Sequence, residues 1–205
     1  MLGEAALTQA DADAYYDAYS NAIKVIGESG KHGPVAERPG ISVKLSALHP
    51  RFEFNKAERL HEELVPRLTA LAIMAKESGM GLNIDAEEAN RLEASLPILL
   101  STLSDERLAG WDGFGVVIQA YGKRATHVID WLYQLATALD RKVMVRLVKG
   151  AYWDSEIKHG QVEGAADFPV FTQRAATDVS FICCAKKLLA MTDRIYPQFA
   201  THNAQ

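Results

Sequence analysis

Four apolar segments of this 205-residue chain each carry a lone polar or charged residue toward their C-terminal end. They are Ile41-Ser42-Val43-Lys44-Leu45, Leu82-Asn83-Ile84-Asp85, Val116-Val117-Ile118-Gln119 and Val143-Met144-Val145-Arg146-Leu147-Val148-Lys149. Burying a lysine, carboxylate, amide or guanidinium unpaired among aliphatic side chains is costly. Arg146, between Val145 and Leu147, needs an anionic or hydrogen-bonding partner. Repeated in four successive segments, the pattern implies residues converging from neighbouring parallel strands on one pocket. A β/α barrel gathers its active site there, at the C-terminal ends of its strands.

Each residue alone also has an ordinary reading. Lys44 can be a strand-edge lysine reaching for water. Asp85, ahead of Ala86-Glu87-Glu88, can cap the next helix. Tyr152 and Trp153 can be core aromatics, and His202 a core histidine bonded to backbone. A different chemistry is a Schiff-base lyase with Lys44 or Lys149 as nucleophile, although it leaves Gln119 and the Tyr152-Trp153 pair without roles. The histidines show no metal-ligand spacing, so no metal is expected. Cys183 and Cys184, adjacent in an apolar helical pattern, are expected to be buried free thiols.

Positioning such residues requires alternating elements. A leading helix is expected over about Asp11 to Glu28, then a Gly- and Pro-containing linker, Gly30 to Pro39. Later helices are expected at Ala57 to Ser78, Glu87 to Leu103, Thr126 to Leu139 and Asp178 to Met191. Leu60, Leu64, Leu68, Leu71 and Ile73 recur at roughly helical spacing in the first of these. Strand three is expected at Phe114 to Tyr121, strand four at Val143 to Lys149 and strand five at Gln198 to Thr201. Strand-helix alternation implies a parallel sheet. Doubly wound sheets share it, but no G-x-G-x-x-G follows any strand, which weighs against a dinucleotide fold.

Composition narrows the function classes. With 48% hydrophobic residues the chain can bury a substantial core. A net charge of −4 offers no basic footprint for nucleic acid. No apolar run is long enough to span a membrane, and Met1 to Leu7 does not read as a signal peptide. The two thiols fit a reducing, cytoplasmic setting.

Long segments carry a resemblance. Gly40 to Arg51, Leu82 to Glu88, Val117 to Tyr121, Arg146 to Glu156 and Phe199 to Asn203, with the opening Met1-Leu-Gly-Glu4-Ala, resemble the proline dehydrogenase domain of the bacterial bifunctional proline utilization A family. The resemblance implies an α/β fold, a distorted (β/α)8 TIM-like barrel, here incomplete at about five strands. Residues 1–39 would form the leading helix and linker, and 40–205 strands one to five with their helices. It further implies noncovalent FAD and oxidation of L-proline to Δ1-pyrroline-5-carboxylate, with electrons passing to a membrane quinone. A cytoplasmic protein, peripheral on the inner membrane face, would fit.

The resemblance also implies roles. Arg146 would place charge near flavin N5, and Gln119 would hydrogen-bond the isoalloxazine edge. Lys44 would bind the proline carboxylate, Asp85 and Tyr152 would line the substrate side, and Glu4 would help close the pocket. Lys149, Gly150, Ala151 and Trp153 would hold the phosphate and adenine side. Ala86 and Val117 would line the cofactor site, and Thr201, His202 and Asn203 would touch it from strand five. The family continues through three further strands and a final helix bearing two arginines that clamp the substrate carboxylate. These are not present through Gln205, so the chain is expected to be a barrel fragment with little activity alone. The family's DNA-binding and aldehyde dehydrogenase portions are likewise not expected in this segment.

Overall fold

The computed structural model describes residues 2–28 and 33–200. Helix α1 (Gln9–Gly27) opens with a capping box. The Thr8 hydroxyl accepts from the Asp11 amide while the Asp11 carboxylate accepts from the Thr8 amide, so orphan amides at both positions are satisfied. Five strands follow: β1 (Gly40–Val43), β2 (Gly81–Ile84), β3 (Phe114–Gln119), β4 (Val143–Val148) and β5 (Ile195–Phe199). Between β1 and β2 lie the one-turn α2 (Leu45–Leu48) and α3 (Ala57–Glu77). Helix α4 (Leu92–Leu103) leads to β3, and α5 (Ala125–Ala138) leads to β4. Helices α6 (Trp153–Val162) and α7 (Arg174–Leu189) join β4 to β5.

All the strands are parallel and lie in chain order, β1-β2-β3-β4-β5. A doubly wound sheet reverses its order at a switch point, whereas this one advances one strand per crossover like a barrel wall.

The register explains the segments singled out above. Val43, Ile84, Val116 and Val145 lie side by side, as do Ser42, Asn83, Gly115 and Met144. Because successive side chains point to opposite faces, the aliphatic row packs outward on the helices and the row of Ser42, Asn83, Gly115 and Met144 faces inward. Leu60, Leu64, Leu68 and Leu71 of α3 are fully buried in the outer core with Ile98, Leu99, Ile129 and Leu132. Each such leucine contributes roughly 2 kcal/mol by leaving water.

Several boundaries differ from expectation. Strand β1 ends at Val43, and Lys44 precedes α2 in an extended conformation. Helix α4 starts at Leu92, not Glu87, because residues 85–88 form a loop whose Glu87 is drawn to the Ser46 amide. The stretch after β4 contains a helix that the sequence reading did not place, α6. Strand β5 begins three residues earlier than expected, at Ile195. Pro197 breaks its apolar pattern yet is tolerated because, among the described residues, β5 pairs only with β4. Cys184 is buried and Cys183 exposed, both free. Neighbours on a helix lie about 100° apart, so the two cannot share one narrow core face.

Candidate active site

Lys44 sits where β1 gives way to α2, with its side chain 8% exposed. Its Nζ donates to Glu4 Oε1 at 2.5 Å and to the Tyr152 hydroxyl at 2.7 Å. The Tyr152 hydroxyl itself donates to the same Glu4 oxygen at 3.2 Å. Burial pulls the Lys44 pKa down, but hydrogen bonds from Glu4 and Tyr152 outweigh it and leave the group above its usual value. Lys44 is therefore an ammonium at neutral pH. Its hydrogen bond holds the Glu4 carboxyl below the ordinary range, while burial raises the Tyr152 phenol. The Glu4 segment is tied down through Ser46, whose Oγ accepts from the Ala5 amide and whose carbonyl accepts from Ala6.

Asp85 follows β2, and its amide donates to the Val43 carbonyl at 2.9 Å. It caps no helix, since α4 starts seven residues later. Burial raises its carboxyl pKa, and Arg146, Lys44 and the Ser42 hydroxyl pull the value back. Arg146 lies on the inner face of β4, in register with Val117 and Gln198. Its Nη1 donates to Ser42 Oγ at 3.0 Å.

Gln119 braces two loops with its one amide. Its Nε2 donates to the Glu87 carbonyl, and its Oε1 accepts from the Ala151 amide, both at 2.9 Å. The Glu87 side chain spans the Ser46 amide and Arg91, and burial raises its pKa. Lys149 Nζ contacts Asp178 at 2.5 Å, which keeps that carboxyl low. Trp153 begins α6 and donates from Nε1 to the Phe171 carbonyl.

Gly150 has a physical requirement. Its φ is +146°, and a Cβ there would lie 2.4 Å from Cδ2 of Tyr121. Tyr121 in turn accepts from the Tyr152 amide at 3.2 Å. Gly150→Ala combines backbone strain with overpacking and is expected to cost about 2–4 kcal/mol. The drop in thermal midpoint checks it; an unchanged midpoint would show that the loop relaxes freely.

These elements enclose a cleft of about 750 Å³. From the expected set Lys44, Asp85, Ala86, Val117, Gln119, Lys149, Gly150, Ala151 and Tyr152 line it. Glu4 reaches its edge through Lys44, and Arg146 lies one layer deeper. Trp153 is not part of its lining, and Thr201, His202 and Asn203 lie outside the described residues. Sequence reasoning missed Arg174, Asp178, Phe181 and Ile182, which also line the cleft. Their i, i+4, i+7, i+8 spacing on α7 was the available signal. Ser42 and Glu87 were missed too: a serine in a strand raises no alarm, and a glutamate after a strand reads as surface. Among the described residues, no His/Cys/Asp/Glu group could hold a metal ion.

The sequence model of the family described as "Proline dehydrogenase" matches residues 1–205. The chain is 57% identical over 204 residues to Bifunctional protein PutA of Klebsiella aerogenes and 56% identical to that of Escherichia coli K12. In both cases all of this chain is covered but only 16% of the relative, so the chain spans about one sixth of their length. A crystal structure of Bradyrhizobium japonicum proline utilization A, mutant D779W, superposes with a TM-score of 0.98 at 58% identity. It covers the whole of this chain and 21% of that one. The Bdellovibrio bacteriovorus protein, inactivated by N-propargylglycine, gives a TM-score of 0.90 at 29% identity, covering 98% of this chain and 22% of that one. The inner polar row, the cleft at the strand ends and these likenesses agree: the chain belongs to the proline dehydrogenase family, with its TIM-barrel-like fold.

Proposed function

We propose that this segment, in the protein that carries it, performs FAD-dependent oxidation of L-proline to Δ1-pyrroline-5-carboxylate. The observation that carries this reading is a buried ammonium and a guanidinium flanking a half-buried carboxylate at the strand ends of a proline dehydrogenase family chain. Residues 1–39 would supply the leading helix and linker, and 40–205 the barrel wall.

The residues present suit a flavin. The cleft is roomy, Gly150 allows close backbone approach, and Lys149 and Arg174 offer cations for a pyrophosphate. FAD, when bound, supplies the acceptor for the hydride leaving the carbon beside the proline nitrogen, while that nitrogen loses a proton. Lys44 would hold the substrate carboxylate as a point charge, a task its ammonium form suits. Glu4, now on Lys44, would yield that place to the substrate and close the pocket. Arg146 would stabilise negative charge developing on the ring system. Asp85 and Tyr152 would shape the substrate side. Ala86, Val117, Gln119, Ala151 and Trp153 would contact the cofactor, together with Thr201, His202 and Asn203. Gln119 would do so while bracing its two loops. The raised pKa of Lys44 disfavours the lyase chemistry, which needs a free amine.

Electrons would pass to a membrane quinone, with the protein in the cytoplasm and peripheral on the inner membrane face. No described helix is long and apolar enough to cross a membrane. The test uses the full-length protein that carries this segment. A flavin spectrum on purification, bleached by L-proline with formation of the pyrroline product, is expected. A flavin-free protein, or a flavin indifferent to proline, would overturn the reading.

A further inference from the structure

Arg146 has a short-range partner that the reaction itself does not explain. Ser42 is an inward-facing residue of β1, and Arg146 reaches it across the inner face from β4 with a 3.0 Å hydrogen bond. The direction of this bond is forced, because a guanidinium has no acceptor. A serine hydroxyl carries one donor and two lone pairs. While it accepts from Arg146, its own hydrogen remains free for the Asp85 carboxylate, whose ionised form the Ser42 hydroxyl favours. The room for this arrangement is built in. Ser42 stands in register with Asn83, and Asn83 with Gly115, where a Cβ would lie 1.9 Å from Asn83 Oδ1. A larger residue at Gly115 would push the row toward Ser42 and Arg146.

We propose that Ser42 is a positioning residue: its hydroxyl joins the Arg146 guanidinium to the Asp85 carboxylate and fixes the guanidinium beneath the ring-binding part of the cleft. Alanine can make neither bond, valine neither, and threonine both. A guanidinium on a long side chain has several staggered rotamers. Stabilising charge that develops in a transition state depends on a donor being in place beforehand. Ser42 reaches neither the substrate nor the cleft lining, so its effect would run through Arg146 and Asp85. This inference rests on the proposed flavin-dependent proline oxidation.

The test is a comparison of wild type, Ser42→Ala, Ser42→Thr, Arg146→Met and the Ser42→Ala/Arg146→Met double variant of the full-length holoenzyme. For Ser42→Ala the limiting rate of flavin reduction should fall about tenfold, in line with one hydrogen bond to a charged group, with proline KM nearly unchanged. The flavin midpoint potential should become more negative, because a displaced cation stabilises the anionic reduced ring less. Ser42→Thr should restore both. In the Arg146→Met background, Ser42→Ala should change the rate by less than twofold, as expected for residues acting as one unit. Wild-type rate and potential in a folded, flavin-loaded Ser42→Ala would overturn the proposal, as would full additivity in the double variant. Should Ser42→Ala fail to fold, a failure of Ser42→Thr to match wild-type rate and potential would overturn it. A wild-type enzyme whose flavin proline does not bleach would instead sink the functional reading beneath it, so the two failures are distinguishable.

Discussion

Arg146→Met in the full-length protein is expected to lower proline-dependent flavin reduction by roughly 100- to 1,000-fold, the usual effect of removing one preorganised charge stabiliser. The fold should survive. Methionine matches the unbranched stem of arginine and adapts to irregular space, and Arg146 faces the inner row, away from the leucine-rich helical layer. The substitution also removes the charge that most strongly pulls the Asp85 pKa down against burial. Asp85 should therefore titrate at still higher pH in the variant. If its ionised form is the active one, the acid limb of the rate profile moves toward neutrality. Stopped-flow reduction by proline, run across pH beside circular dichroism, reads both effects. Wild-type rates with wild-type spectra would remove Arg146 from the mechanism.

Much of this arrangement was legible because the sheet obeys a period of two. Lys44, Asp85, Gln119 and Arg146 stand out in sequence since each interrupts an aliphatic run, and the period of two puts those interruptions on one inner face, with Gln119 one layer beyond the row of Arg146. The helices were legible for a related reason: the leucines of α3 recur at the spacing that buries a single face. What escaped notice lacked a local signal. Lys149 and Asp178 form their ion pair across 29 residues. Glu87 and Ser46 meet across 41, and this pairing delays the start of α4. Ser42 gains meaning only when β4 is laid beside the other strands. The family resemblance alone places Gln119 at the cofactor edge. That its amide already ties the loop after β2 to the loop after β4 could not be read from a single strand.

Lys44→Ala is expected to raise the proline KM by roughly 10- to 100-fold, consistent with losing a hydrogen bond to a charged group in a partly desolvated site. Carboxylate inhibitors shaped like proline should weaken in parallel, while the limiting rate of flavin reduction changes less. That split separates Lys44 from Arg146: the first holds a charge present in both ground and transition states, the second a charge that develops during reaction. The loss should be partial, because a single charge-assisted contact is removed. The removal is tolerable for the fold, since Glu4 is 42% exposed at its side chain and water can replace the ammonium. Without Lys44 the Glu4 carboxyl should return toward its ordinary pKa. The Tyr152 phenol, whose burial is offset first by the Lys44 hydrogen bond, should rise further. An unchanged KM would show that the substrate carboxylate is held elsewhere. A borohydride-stable adduct on Lys44, formed with a carbonyl substrate, would assign this lysine a covalent role and replace carboxylate binding as the reason for its burial.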